Sequence, residues 1–278
     1  MKLLIGTTRG LLLWNDGAVT QLLEGGVYGI SKLGEKWYCS HINGPNCAIL
    51  ELDIQGDQLI SSKTIMERGP GIHQIDFIGD QLVIADTKYN QICVCSVTEG
   101  LITTIVPNGI QTGVHDETHL HLNSVFASGQ TLYVMAHNLS GRYNRLSEIY
   151  EINLPDYTVR THYPIDGMAC HNIFVDEHGL MFLDSLEGRV IRHGKKVKLH
   201  SFLRGLAITA DNYFIGSNKK ASREERIGGG SIFVFNQQFK QVDEYQIDGV
   251  ICEIRCLDQP DYSMSNTMVS FPGGLNSG

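Results

Sequence analysis

Six segments of this 278-residue chain can be laid over one another almost without gaps, and that repeat constrains the fold more than any other feature. They open at Tyr28, His73, the His121-Leu-Asn123 stretch, His171, Arg204 and Cys252. After Tyr28, His73, His171 and Arg204 a β-rich run begins nine residues later, at Trp37, Leu82, Leu180 and Tyr213. A period of roughly 40–50 residues made of short strands is the sequence form of a β-propeller, because each unit buries its faces only against its neighbours.

Within each period the strands are legible from alternation and from β-branched or aromatic content. The unit opened by Tyr28 continues with strands predicted over Lys36–His41, Ala48–Ile54 and Gln58–Ile65; that opened by His73 continues with Gln81–Asp86, Gln91–Ser96 and Leu101–Val106. Gly34, Gly56, Gly79 and Gly129 stand where hairpin loops need positive φ. No stretch carries the i, i+3, i+4 stripe of a long helix. Lys2–Thr7, Gly10–Asn15 and Ala18–Leu23 supply three strands that lack an opening strand, whereas Gly249–Leu257 supplies an opening strand with no unit after it. The expectation is an all-β, six-bladed β-propeller over residues 1–257, closed by a C-terminal strand joining three N-terminal strands. Residues 258–278 are expected as a surface tail, laid across one face or partly disordered.

A net charge of −8 argues against nucleic-acid or anionic-membrane partners, which demand a basic face. The opening Met1-Lys-Leu-Leu-Ile-Gly-Thr-Thr is broken too early by Arg9 to read as a signal peptide, and no apolar run approaches ~18 residues. A cytoplasmic protein is expected. Seven cysteines, odd in number and without a C-x-x-C pair, suggest neither a disulfide framework nor a zinc knuckle.

In a propeller the first strand of each blade lines the central channel, and the connections into it share a face with the loops between second and third strands. The unusual residues gather in those connections: His115, Asp116, Glu117 and His119; Arg142 and Arg145; Lys219, Lys220, Arg223 and Arg226. His73, His121 and His171 therefore converge as candidate ligands for a divalent transition metal (Zn, Fe, Mn, Ni or Cu). Strict register places Asn123 on the axis and His121 nearer the mouth. The bland alternative is a polar channel whose imidazoles meet only water. Arg204 suits a carboxylate or phosphate. Glu253 is a candidate general base, although strand parity turns it between blades toward Arg255 or Arg204. Tyr28 is a candidate acid or a packed aromatic. Asn123, Asn172, Asp86, Asp184 and His137 complete the set as ligand-binding or supporting groups; His137 reaches the second-strand position if the Ser128-Gly-Gln turn carries one extra residue. Nucleophile-elbow, dinucleotide, P-loop and H-E-x-x-H motifs are absent from the sequence.

Thr118-His-Leu-His-Leu-Asn-Ser-Val, Cys170-His171-Asn, Ser185-Leu-Glu-Gly-Arg, Phe202-Leu-Arg204-Gly-Leu-Ala and Gly216-Ser-Asn-Lys resemble, in that order, the landmarks of a family of uncharacterised bacterial proteins over residues 70–257. The resemblance implies a propeller and carries no activity. By residue types alone, the chain is also similar to the six-bladed peptidylglycine amidating lyases, whose zinc sits between three histidines near an arginine and a tyrosine. The leading expectation is a metal-dependent enzyme, of lyase or hydrolase type, acting on a small polar or anionic molecule at the channel mouth. The alternatives are a non-catalytic module that captures a small polar ligand or peptide, and a scaffold that uses its outer rims.

Overall fold

In the computed structural model, residues 1–111, 118–140, 143–221 and 228–268 are described. They form six four-stranded antiparallel sheets arranged as a ring, a six-bladed β-propeller. The first blade is built on β1 (Lys2–Thr7), β2 (Gly10–Asn15) and β3 (Ala18–Glu24). The second comprises β4 (Gly26–Leu33), β5 (Lys36–Asn43), β6 (Asn46–Gln55) and β7 (Gln58–Arg68); the third β8 (Ile72–Ile78), β9 (Gln81–Asp86), β10 (Gln91–Ser96) and β11 (Gly100–Ile105). In the fourth, β12 (Leu122–Ser128) and β13 (Thr131–Ala136) are followed by a short ribbon, β14 (Leu139–Ser140) and β15 (Tyr143–Asn144), before β16 (Glu148–Asn153) and β17 (Val159–Pro164). The fifth holds β18 (Cys170–Asp176), β19 (Gly179–Asp184), β20 (Arg189–Arg192) and β21 (Lys195–Lys198); the sixth β22 (Phe202–Ile208), β23 (Asn212–Asn218), β24 (Gly230–Asn236) and β25 (Gln241–Ile247). The last strand, β26 (Ile251–Cys256), pairs with β1 and so becomes the inner strand of the first blade.

The core lies between blades. Phe126, Phe174, Met181, Leu206 and Tyr213 share one buried cluster spanning the fourth to sixth blades, and Leu3, Ile5, Phe214, Ile232 and Ile254 another across the sixth and first. Burial of this apolar surface is what makes adjacent blades adhere.

The inner strands approach one another too closely for large side chains. A Cβ on Gly29 would lie 2.6 Å from the Ile75 nitrogen and 2.7 Å from the His73 carbonyl. Side chains, not a continuous ladder, bridge them: Gln74 Oε1 accepts from Val125 N at 2.8 Å, Ser124 Oγ from Asn172 N at 2.8 Å, and Asn172 Oδ1 from Gly205 N at 2.9 Å.

The face opposite the inner-strand openings, here the lower one, is crossed by the chain after β26. Asp261 accepts from Ile208 N and Cys256 N at 3.1 and 2.9 Å. Ser265 opens the single-turn α1 (Ser265–Met268); its hydroxyl donates to Asp76 at 2.5 Å and accepts from Ala127 N at 2.8 Å. Asp261, Tyr262, Ser263, Met264 and Ser265 are all buried, so the first part of the segment expected at the surface is packed into the lower mouth. Residues 269–278 lie outside the described set.

Candidate functional site: the upper channel mouth

Each inner strand departs from regular register near its opening. The shifts fall between Val27 and Gly29, Ile72 and Ile75, Leu122 and Ser124, His171 and Ile173, and Leu203 and Leu206; in the first blade, Gly6 pairs Glu253 and Thr7 pairs Ile251. The residues left out of the pairing are Tyr28, His73 with Gln74, Asn123, Asn172, Arg204 with Gly205, and Cys252. A bulge adds a residue and re-aims side chains. Six in a ring deliver consecutive side chains to the channel where a flat strand would deliver alternate ones. Asn172 (φ 51°) and Gly205 (φ 90°) take the left-handed conformation this requires.

Four of the imidazoles meet at the upper mouth. Ring centroids lie 5.2 Å apart for His73 and His121, 4.5 Å for His121 and His137, and 5.1 Å for His137 and His171; His119 stands 5.8 Å from His121. His121 precedes β12 with φ 52° and reaches this row from outside the strand. Burial is the main cause holding His121 and His171 well below the usual imidazole pKa; neighbouring rings add to it for His121, and Arg204 for His171. His171 Nδ1 lies 2.9 Å from the Ala169 carbonyl and 2.8 Å from Ser185 Oγ. A carbonyl cannot donate, so Nδ1 carries the proton and Nε2 keeps its lone pair.

Arg204 forms the wall. Its guanidinium stands 4.9 Å over the Tyr28 ring and 3.4 Å from His73 Nδ1, and among the described residues no carboxylate pairs with it. The Tyr28 and His73 rings are 5.8 Å apart. Below them lies a cavity of about 10 Å³, lined by Asn123, His171, Asn172, Arg204 and Glu253 among others, with room for one water-sized group.

Glu253 is the floor. Oε1 accepts from Asn172 Nδ2 at 3.1 Å, Ile254 N at 3.1 Å and Arg255 Nη1 at 3.2 Å, while Oε2 accepts from Gln74 Nε2 at 2.9 Å. Burial pushes its carboxyl pKa up and Arg255 pulls it partly back. Its ion pair is with Arg255, and the bulge keeps it on the channel, where parity alone sends it between blades.

Asp86 and Asp184 are not brought to the cluster. Asp86 is buried against Gln91 Nε2 at 2.8 Å, and Asp184 against Arg189 Nε at 2.8 Å and Met168 N at 3.2 Å; both tie down turns of their own blades. His115, Asp116, Glu117, Arg142, Arg223 and Arg226 lie outside the described residues. Among the described residues no group of three or more His, Cys, Asp or Glu is arranged to hold a metal ion, and no helix is long and apolar enough to cross a membrane. Gln74 and Ser124 are the cavity-lining neighbours that sequence reasoning missed. The available signal was a polar residue beside an opening residue, and parity argued against it.

No family model and no curated protein matches this chain. Solved structures do. A chain of a nidogen/laminin complex is similar at 13% identity, with TM-score 0.65 over 92% of this chain and 98% of that one. A protein of unknown function from Bacteroides caccae is similar at 13% identity and TM-score 0.61, over 91% and 97%. A Lactobacillus plantarum protein is similar at 10% identity and TM-score 0.57, over 92% and 99%. At these identities the likeness establishes the propeller and nothing about chemistry.

Proposed function

We propose that the upper mouth captures a small anion, a carboxylate or phosphate, with Arg204 as its principal contact. The observation that carries this reading is the half-buried guanidinium of Arg204, held over Tyr28 and without an acidic partner among the described residues. A fixed planar fork at the mouth of a narrow polar cavity is the arrangement that binds such groups bidentately. The uncharged imidazoles of His121 and His171 supply hydrogen-bonding groups without adding charge. Isothermal titration with acetate and with inorganic phosphate tests it. The intact chain is expected to bind at least one of them and Arg204→Met to bind neither; equal binding by the two proteins overturns the proposal.

A second reading, a metal-dependent lyase or hydrolase, is favoured by the spacing of the rings. Two imidazoles bound to one ion at 2.0–2.1 Å have centroids roughly 5 Å apart, as the His73 and His121 rings do at 5.2 Å. His73, His121 and His171 would hold the ion, which would activate a water or polarise the bound molecule. The side chains would have to close further on it, since they do not converge on a common point. Metal content of protein purified without tag or chelator, beside a His73→Ala/His171→Ala variant, decides this: near-stoichiometric metal lost in the variant supports it, and no uptake on reconstitution removes it.

A further inference from the structure

We infer that the captured anion carries one hydrogen-bond donor, a hydroxyl or an ammonium, on the carbon next to its acid group, as 2-hydroxy and 2-amino acids do. This rests on the anion-capture reading and adds what the other end of the ligand must be. Asn123 is 2% exposed and lines the cavity under Arg204. Its Nδ2 donates to the Cys170 carbonyl at 2.8 Å. That bond fixes the amide, because the flipped orientation would set two acceptors against each other. Its Oδ1 is buried, and no donor among the described residues reaches it. Buried acceptors in folded proteins have donors, and one left without is a sign of something that belongs there.

The adjacent floor has the same polarity. Glu253 Oε2 receives only Gln74 Nε2, whereas Oε1 receives four donors. The cavity is therefore cationic at its Arg204 wall and rich in acceptors at its base. Its volume, about 10 Å³, admits one heavy-atom group, so the acid group stays at the mouth against Arg204 and only the donor enters. A ligand matching this polarity over so short a span holds its anion and its donor on neighbouring carbons. A bare carboxylate such as acetate would place a methyl group against Asn123 Oδ1 and leave that acceptor unmatched.

The test compares acetate, glycolate and glycine by isothermal titration on the full-length chain, with glycolate and glycine separating hydroxyl from ammonium. Glycolate or glycine is expected to bind at least about tenfold more tightly than acetate, the effect of one hydrogen bond to a buried acceptor. In Asn123→Leu this preference should fall to less than about twofold. Acetate bound as tightly as both others overturns the inferred donor and leaves anion capture standing. No binding by any of the three overturns the inferred donor, and overturns anion capture as well if inorganic phosphate is not bound either. If Asn123→Leu does not fold, a crystal structure of the unaltered protein with the tighter acid decides. A donor atom within hydrogen-bond distance of Asn123 Oδ1 supports the inference; the acid seated elsewhere, with only water at that oxygen, overturns it.

Discussion

The two ends of the channel are lined by the same six strands, yet the arginine at one end is held by backbone carbonyls and a carboxylate, whereas the arginine at the other has no carboxylate partner among the described residues. At the lower mouth Arg255 is wholly buried, and it donates to the Ile30 carbonyl at 2.9 Å, the Leu206 carbonyl at 2.8 Å and Glu253 at 3.2 Å. Asp76 and Asp261 beside it are filled by Ser31, Ser263 and Ser265, two of them from the segment after β26. At the upper mouth Arg204 has an aromatic face and an imidazole but no carboxylate among the described residues, and Asn123 Oδ1 has no donor there. Arg255 Nη2 is the exception at the lower end, buried without a partner among the described residues. The cation left without a carboxylate at the open mouth marks where an anion belongs.

The comparison can be broken most severely at the lower end. Arg255→Met strips the cation from three buried carboxylates and should cost about 3–5 kcal/mol of stability in urea unfolding, whereas Arg204→Met should cost less than about 1 kcal/mol. Similar losses would erase the distinction between the ends. Next in size is Asp261→Ala, which leaves Ile208 N and Cys256 N without their acceptor, at about 1–2 kcal/mol for each. The same assay measures it, and anion binding at the far mouth should be unchanged.

A third prediction concerns pH. In the folded chain His121 and His171 resist protonation, whereas in the unfolded chain they charge near 6.5. The unfolded state then takes up more protons as pH falls, so stability present above about 6.5 is lost below it, by up to ~1.4 kcal/mol per pH unit for each ring. Unfolding of a His121→Asn/His171→Asn variant at several pH values should show a shallower loss. Asp76, Glu253 and Asp261, raised by burial, act in the opposite sense: their contribution is present at low pH and declines as pH rises through their folded pKa values. The smallest effect is expected from Arg9→Ala, which breaks an exposed pair with Asp248 at 2.8 Å on the upper rim; stability and anion binding should both hold, stability within about 0.5 kcal/mol.

Blade number and most strand positions were readable because alternation and turn glycines are local signals. Gln81–Asp86 and Gln91–Ser96 coincide with β9 and β10 to the residue. The convergence of His73, His121 and His171 on one mouth also followed from the repeat. What the sequence concealed was the bulge in each inner strand. Parity turned Glu253 away from the channel and passed over Gln74, because it assumes a flat strand, and a bulge resets parity at the positions where the site is built. The lower mouth was concealed for another reason: Asp261 and Ser265 have no repeat to align with, and their partners Ile208, Asp76 and Ala127 are distant in sequence.

The most direct test of the contrast between the ends is to follow the histidine side-chain nitrogens by NMR while acetate is added. His178 and His193 on the lower face, with ring centroids 5.4 Å apart, serve as the internal control. Shifts are expected at His73 and His171 that are absent in Arg204→Met, with His178 and His193 unmoved. Shifts confined to the lower pair, or persisting unchanged in Arg204→Met, would contradict that expectation.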